Sequence, residues 1–373
     1  MRIAVNTECL VKDGMDGTGR YAHELLKHIV FQHPEHEFLF LFAGPFDASF
    51  LYASNVKAAM VSPRLKNNLA FRYGYDIKLA AAIKKFGANL FIGFDGIGCL
   101  TTKLPQVLVL GNLPFMHHSG LLSRKQRWFH KLYQQKFIDK ATEVVVPNFF
   151  VQQNAVKQYQ IPSEKISVVL PAASQSFVPV TAIERLATQE TYTEGREYFL
   201  CMGNRLSQYD LLNVLKAFSI FKKWQQSNMK LVLTGRLDDA GLLEKLKTYR
   251  HRNDVVLLNA SMDGQLQQLL ASCYALIYPP TIEGLGLPVL DAMQCGVPVI
   301  TCTQSSMQQL GGEAVLYAEP GDIEAMANHL KKLYKDENFR SQLIKDALEQ
   351  VGKFSWQSSA GQLYKIIEAA ASK

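Results

Sequence analysis

The chain has 373 residues, of which 48% are hydrophobic and 20% charged, with 24 Gly, 14 Pro and 6 Cys. This composition is that of an ordinary globular protein, and it excludes collagen-like, disordered and disulfide-scaffold classes. No apolar stretch reaches the roughly 18 residues that a membrane-spanning helix needs, and the first residues lack a signal-peptide pattern. We therefore expect a soluble cytoplasmic protein, with two domains because a domain takes about 150 residues.

The net charge of +7 is concentrated in the first half of the chain. Residues 1–180 carry 20 Lys and Arg against 12 Asp and Glu, whereas residues 181–373 carry 20 against 21. The excess lies in segments 64–85 and 124–140. Two interpretations are open: solvated helix faces, or attraction to an anionic membrane surface or a phosphate-bearing lipid. No nucleic-acid-binding module is recognisable, so we expect no nucleic-acid partner.

Short β-rich runs alternate with longer segments of helical period, which predicts an α/β protein with parallel sheets. In the first half, strands are predicted at 2–6, 38–42, 90–94, 106–110, 143–146 and 165–169. Helices are predicted between them at 19–31, 67–86 and 123–140. A segment rich in Pro, Ser, Thr and Glu follows, and its weak periodicity predicts an interdomain linker.

The alternation restarts after this linker. Strands are predicted at 198–202, 229–234, 255–258, 275–278, 297–301 and 314–317. Helices are predicted at 210–226, 240–250, 265–272, 287–295, 323–334, 337–351 and 356–371. Two doubly wound halves predict a ligand cleft at the carboxyl ends of their strands.

The segment 278–301, YPPTIEGLGLPVLDAMQCGVPVIT, carries the most informative pattern. A buried strand leads into a Pro-Pro loop, two glycines and a predicted helix that begins near Pro288, where proline is favoured. The glycines permit close backbone approach, and the unpaired N–H groups of a helix start bind phosphate. Glu283 and Asp291 flank the helix start and are placed to accept hydrogen bonds from hydroxyls of a sugar or a ribose. The alternative interpretation is a simple strand-loop-helix corner with two solvated acids.

Residues 283–300 resemble the signature of family 4 glycosyltransferases of the GT-B fold, which use nucleotide-sugar donors and retain the anomeric configuration. The resemblance implies two Rossmann-like doubly wound domains that face each other across a cleft. It further implies that Glu283 lies near the donor sugar and that Asp291 holds the ribose. Backbone N–H groups of Gly286 and Leu287 would then bind the diphosphate.

Two further segments extend the resemblance to nearly the whole chain. DGTGRYAHELLKHI, residues 16–29, resembles the glycine loop before the family's first helix, although a turn that caps an amphipathic helix is the open alternative. KFSWQSSAGQLYKII, residues 353–367, resembles the last helix, which crosses back onto the N-terminal domain. The predicted organisation is therefore an acceptor domain at 1–175, a linker at 176–195, a donor domain at 196–355 and a crossover helix at 356–373.

Several positions depart from the family pattern. Asp291 replaces a glutamate, and Gly111–Asn112 stands where the family commonly shows His-Asp after a buried strand. Gln208–Tyr209 stands where the family usually has Arg-Lys, whose cations neutralise the departing diphosphate. Arg205 and Arg236 are candidate replacements for these cations, and exposed loop residues are the open alternative for each. Such fixed cations matter because they stabilise the charge that develops in the transition state.

The predicted site residues form three groups. The catalytic candidates are Glu283, Arg205 and Asn112; the donor-binding candidates are Gly203, Arg236, Gly284, Leu285, Gly286, Leu287 and Asp291; the acceptor-side glycine loop is Gly17, Thr18 and Gly19. No metal and no cofactor are expected, because the chain has no D-x-D pair and the resemblance implies a metal-independent reaction.

Two main functions are open at this stage, and another GT-B-like enzyme, for example a sugar-nucleotide epimerase, is open beside them. The resemblance implies a retaining glycosyltransferase that uses a UDP-, GDP- or ADP-linked donor and a saccharide or lipid-linked acceptor, in cell-envelope polysaccharide or glycolipid assembly. The alternative is a family member without catalytic activity that binds a nucleotide, a glycan or a protein. We also expect peripheral contact between the basic N-terminal half and the anionic inner face of the membrane.

Overall fold

The computed structural model describes residues 1–12, 15–61, 68–94, 96–111, 124–203, 206–235, 240–259, 263–281, 284–303 and 306–373. The chain divides into two compact units, residues 1–171 together with 355–373, and residues 172–354. Among the described helices, none is long and apolar enough to cross a membrane. Each unit is built on its own parallel sheet.

The first unit contains a seven-stranded sheet in the order β3-β2-β1-β4-β5-β6-β7. Its strands are β1 (Arg2–Asn6), β2 (Glu37–Phe42), β3 (Val56–Met60), β4 (Leu90–Gly93), β5 (Gln106–Val109), β6 (Glu143–Val146) and β7 (Ile166–Val168). Its helices are α1 (Gly17–Gln32), α2 (Asn68–Phe86), α3 (Arg124–Lys140), α4 (Phe149–Tyr159) and the C-terminal helix α13 (Trp356–Ala371). The strand order reverses between β1 and β4, which makes this edge the ligand-binding position of a doubly wound sheet.

The second unit contains a six-stranded sheet in the order β10-β9-β8-β11-β12-β13. Its strands are β8 (Tyr198–Met202), β9 (Lys230–Thr234), β10 (Val255–Leu258), β11 (Ala275–Tyr278), β12 (Val299–Cys302) and β13 (Leu316–Ala318). Its helices are α5 (Ala182–Thr193), α6 (Gln208–Trp224), α7 (Ala240–Lys247), α8 (Asp263–Ser272), α9 (Leu287–Gln294), α10 (Met307–Gly311), α11 (Ile323–Lys335) and α12 (Glu337–Val351). The central strands are buried on both faces, as parallel strands between two helix layers must be. The predicted fold class, two Rossmann-like doubly wound sheets, is confirmed.

The structure adds one strand and three helices to those predicted from the sequence. β3 is an edge strand that pairs only with β2, and its sequence, VKAAM, has a single β-branched residue. α5 lies inside the segment 176–195 that we predicted as a linker, and it starts with a capping box of Thr181 and Glu184. α4 and α10 follow β6 and β12 directly. The predicted linker therefore contains a helix of the second unit.

The C-terminal helix α13 packs against α1 within the first unit, as the resemblance implied. Trp356 is 4% exposed, and its ring meets the ring of Tyr21 edge-on at a centroid distance of 5.8 Å. Further along α13, the ring of Tyr364 stacks on the ring of His33. The buried face of α13 is thus part of the core of the first unit.

Candidate functional site

The predicted glycine loop lies at the carboxyl edge of the second sheet. β11 ends at Tyr278, and α9 begins after Gly286, which is its N-cap residue with φ +68°. A Cβ on Gly286 would overlap Leu310 Cδ1 and would lie 2.8 Å from Met307 Cε. Position 286 requires glycine for its backbone conformation, and a side chain there would also displace the ends of the Leu310 and Met307 side chains.

The start of α9 presents backbone N–H groups. Pro288 occupies its first turn, and the N-cap residue, Gly286, has no side chain that could cap the helix. Leu285 and Leu287 are each 2% exposed, so the loop is held in place by its own buried side chains. A helix start of this kind carries partial positive charge and attracts an anion such as phosphate.

A second loop reaches the same edge from the neighbouring strand. Gly203 follows β8, which pairs with β11 at the position where the strand order reverses. Asp210, in the first turn of α6, accepts a hydrogen bond from the Ser207 hydroxyl at 2.8 Å and from the Thr281 hydroxyl at 2.6 Å. Because Thr281 belongs to the loop after β11, this carboxylate joins the two loops that flank the expected ligand position.

Asp291, the predicted ribose-binding residue, is almost completely buried. It is 1% exposed, and its Oδ1 accepts a hydrogen bond from the backbone N–H of Ser174 at 3.1 Å. A carboxylate has acceptor capacity for several donors. Asp291 therefore makes a contact within the second unit that the sequence did not indicate.

Four predicted residues lie outside the part of the chain that the structure describes: Glu283, Arg205, Asn112 and Arg236. Their roles stay predictions. The other donor-side candidates share the carboxyl edge of the second sheet, and the predicted acceptor-side residues form the first turn of α1 in the first unit.

The glycine loop of the first unit is held by packing. Asp16 is the N-cap of α1, and its carboxylate accepts the N–H of Gly19 at 2.9 Å. A Cβ on Gly19 would overlap the carbonyl oxygen of Cys9 and would lie 2.5 Å from Met15 Cγ. The close packing of the β1–α1 connection thus explains why residue 19 is glycine.

Thr18 faces Gly111, which follows β5. A Cβ on Gly111 would lie 3.2 Å from both Cγ2 and Oγ1 of Thr18, which is tighter than an ordinary van der Waals contact. The larger side chain that the family pattern has at position 111 would require Thr18 to move. The absence of a side chain at Gly111 therefore leaves the space that the Thr18 side chain occupies.

Asn6, the last residue of β1, is a site candidate that the sequence analysis missed. It is 2% exposed, and its Oδ1 accepts the N–H of Glu8 at 3.2 Å. Within the described structure, its Nδ2 is buried without a hydrogen-bond partner. Such a group costs about 1–3 kcal/mol, so it indicates a position where a ligand or water oxygen accepts. The available signal was one polar residue, Asn6, directly after the apolar run Ile-Ala-Val at residues 3–5.

An exposed apolar pair lies on α3, in the basic segment 124–140. Trp128 and Leu132 are 46% and 40% exposed and are one helical turn apart. Lys131 and Lys136 are exposed on the same helix. Aromatic and aliphatic side chains bordered by lysines are typical of helices that lie in a membrane interface.

One cluster in the described part of the chain has ligand atoms near enough to hold a metal ion. The ligand atoms of His33, Glu35 and His36 all lie within 4.8 Å of one another. His36 Nε2 is 2.7 Å from the Tyr364 hydroxyl, and the His33 and Tyr364 rings stack at 3.4 Å. Both histidines are thereby engaged in joining α1 to α13, and we assign the cluster to packing.

The fold and the two glycine loops define a GT-B protein, and comparison with solved structures agrees. The chain is similar to WaaG, described as a glycosyltransferase involved in lipopolysaccharide biosynthesis, with a TM-score of 0.76 and 16% identity over 98% of this chain and 99% of that one. It is also similar to Anabaena HepE in complex with UDP-glucose, with a TM-score of 0.72 and 15% identity over 99% of this chain and 100% of that one.

The sequence comparison gives the family. Residues 183–350, nearly the whole second unit, match the model of glycosyl transferases group 1. O-antigen chain mannosyltransferase B of Escherichia coli is 25% identical over 98% of this chain and 100% of its own length. The resemblance found at residues 283–300 is confirmed.

Proposed function

We propose that the protein transfers a sugar from a nucleotide-sugar donor to an acceptor hydroxyl, with retention of configuration and without a metal, in cell-envelope polysaccharide or glycolipid assembly. The observation that carries this proposal is the left-handed glycine turn at Gly286 that starts α9, at the point where the strand order of the second sheet reverses. The full-length similarity to a mannosyltransferase makes a mannosyl donor the first candidate.

The proposed chemistry assigns each donor-side group a task. Backbone N–H groups of Gly286 and Leu287 bind the diphosphate, and Asp291 accepts from a ribose hydroxyl. Glu283 lies beside the donor sugar. As the diphosphate leaves, negative charge grows on it, and preorganised N–H groups and cations such as Arg205 stabilise that charge.

Nucleotide binding is the first test. Thermal unfolding is measured with UDP, GDP and ADP, and then with GDP-mannose and UDP-glucose. A ligand at 100 times its Kd adds about 2.7 kcal/mol of stability, which raises Tm by about 5–11 °C for a unit of this size. Sugar transfer and donor hydrolysis are then followed with and without EDTA, and loss of activity in EDTA contradicts the metal-independent reaction. No Tm response to any nucleotide refutes the donor site.

A second candidate function is binding without turnover. It is favoured by the neutral Gln208–Tyr209 pair in the first turn of α6, where the family usually has two cations; Tyr209 is 60% exposed. Removing one preorganised donor from an enzyme site costs about 2.7–4 kcal/mol of transition-state stabilisation. Nucleotide binding without donor hydrolysis or transfer would support this function over the first.

For the acceptor side, we propose that Asn6 Nδ2 donates to an acceptor oxygen and that α3 contacts an anionic membrane. Cosedimentation with phosphatidylglycerol vesicles, compared with phosphatidylcholine vesicles, tests the membrane contact. Replacing Trp128 and Leu132 with alanine should reduce binding. The matched control replaces Ile183 and Leu186 of α5, which are 80% and 61% exposed but lie in the half of the chain without basic excess. Equal losses for both pairs would contradict α3 as the contact.

A further inference from the structure

The chain leaves the first unit through a segment whose last residues are fixed by hydrogen bonds. The Tyr21 hydroxyl of α1 donates to the carbonyl of Val169 at 2.6 Å. The Ser359 hydroxyl of α13 donates to the carbonyl of Leu170, also at 2.6 Å. These bonds hold the chain up to the start of residues 171–173, which we call the crossing.

The residues after the crossing are fixed in the same way within the second unit. The N–H of Ser174 donates to Asp291 Oδ1 at 3.1 Å. Gln267 Nε2 of α8 donates to the carbonyl of Ser176, and the side chain of Phe177 is 5% exposed in the core of the second unit. The crossing is therefore three residues long, between two fixed ends.

Of these anchors, Asp291 alone belongs to the helix that starts at the proposed diphosphate loop. It lies four residues after Leu287, the first residue of α9. A buried carboxylate is stable only when its oxygens accept hydrogen bonds. Because Asp291 is only 1% exposed, its side chain has little room to change conformation. The Ser174 N–H and any further donor must therefore bind the carboxylate in the same side-chain conformation.

We propose that Asp291 couples nucleotide binding at residues 284–287 to the crossing; this inference rests on the proposed function. A ribose hydroxyl that donates to Asp291 fixes the carboxylate in the conformation that accepts from Ser174. The ribose hydrogen bond and the Ser174 hydrogen bond then require the same position of the carboxylate, so each favours the other. Nucleotide therefore strengthens the Ser174 anchor, and by linkage the anchor strengthens nucleotide binding by the same factor. Asp291 is a positioning residue in this scheme.

Amide hydrogen exchange of the full-length protein, with and without saturating UDP or GDP, measures the coupling. The exchange of the Ser174 amide should slow by about fivefold or more when nucleotide is bound, the lower end of typical coupling factors. The Leu110 amide, which donates to Val145 in the first unit at 2.8 Å, should not change and serves as the internal reference.

Three variants separate coupling from a purely structural contact. Asp291→Ala should exchange rapidly at Ser174 with and without nucleotide, and should bind nucleotide more weakly. Asp291→Asn keeps an oxygen that accepts from Ser174, so the Ser174 amide should regain part of its protection from exchange. This variant keeps the test valid if the alanine variant misfolds. Gln267→Ala, the matched control, removes the other tether, and should leave nucleotide affinity and the nucleotide response of Ser174 unchanged.

The outcomes are distinguishable. Nucleotide binding to the wild-type protein without a change in Ser174 exchange overturns the coupling and leaves the proposed function standing. Equal effects of Asp291→Ala and Gln267→Ala on nucleotide affinity overturn it as well. Absence of nucleotide binding to the wild-type protein overturns the proposed function, and the coupling with it.

Discussion

Replacing Gly286 with alanine tests whether the donor loop depends on glycine for the reasons given by its geometry. Residue 286 has φ +68°, a left-handed conformation that costs an L-residue about 1–2 kcal/mol. Its Cβ would also overlap Leu310 and approach Met307 Cε to 2.8 Å, and overpacking of this kind costs about 1–3 kcal/mol. We expect Gly286→Ala to lower the free energy of unfolding of the second unit by about 2–5 kcal/mol. Nucleotide binding should weaken with it, because the start of α9 must shift.

Gly296 offers a matched control in the same unit. Its φ is +67°, but the nearest atom to an added Cβ is Ile344 Cγ2 at 3.5 Å, an ordinary contact. Gly296→Ala should therefore lose only the conformational part, about 1–2 kcal/mol. Calorimetric unfolding of both variants should differ in Tm by about 2–12 °C. Equal Tm values would refute the close approach of α10 to Gly286.

Three other predictions concern the first unit. Gly111→Ala should lower the free energy of unfolding of the first unit, because the new Cβ lies 3.2 Å from Thr18. Thr18→Ala should relieve this loss. The test is a double-mutant cycle measured by urea unfolding, and an interaction energy of zero would contradict the contact. Tyr21→Phe should lose about 1–3 kcal/mol, because the Val169 carbonyl loses its 2.6 Å donor; unchanged urea unfolding argues against that bond. Burial lowers the pKa of His23 below its ordinary value of 6.5, so the unfolded chain binds the proton more readily, and stability should fall as the pH drops through about 6.5. His23→Gln should flatten the decline in Tm with pH, and an identical decline would exclude this histidine as its source.

The interiors of both sheets could be predicted because burial on two faces leaves unbroken apolar runs. ALIY of β11 and QVLV of β5 are of this kind, and both lie where they were predicted. The edge strand β3 could not be predicted, since its VKAAM sequence becomes a strand only through pairing with β2. The strand propensity of a sequence is least informative for an edge strand such as β3, because a single neighbouring strand supplies all of its pairing.

The sequence contained a signal for the start of α5, but the weak periodicity of the segment led us to predict a linker there. The pair Thr181 and Glu184 has the spacing of a capping box, and the structure forms it. Ile183 and Leu186 are 80% and 61% exposed, however, so the apolar positions do not mark the buried face. Weak periodicity and many Thr residues then favoured a linker.

In the candidate site, too, local features could be predicted from the sequence, whereas contacts between distant residues could not. Gly286 was predictable because a glycine just before a helical pattern meets a local backbone requirement. The contact of Asp291 with Ser174 joins residues 117 positions apart, and no local pattern encodes it. Gly19 was predicted as part of the acceptor-side glycine loop, and its packing against Cys9 already requires glycine at this position. The roles of Glu283, Arg205, Asn112 and Arg236 stay predictions, since these residues lie outside the described ranges.

The membership of α13 in the first unit has a consequence for biosynthesis. α13 contacts α1, β4, β5 and β6, and it leaves the ribosome only after all of residues 172–354. Domains generally mature in the order of their translation, but here the second unit is complete while the nascent first unit still lacks one of its helices. The half that is made first is therefore the half that finishes folding last, and its uncovered apolar surface must be shielded until translation reaches Trp356.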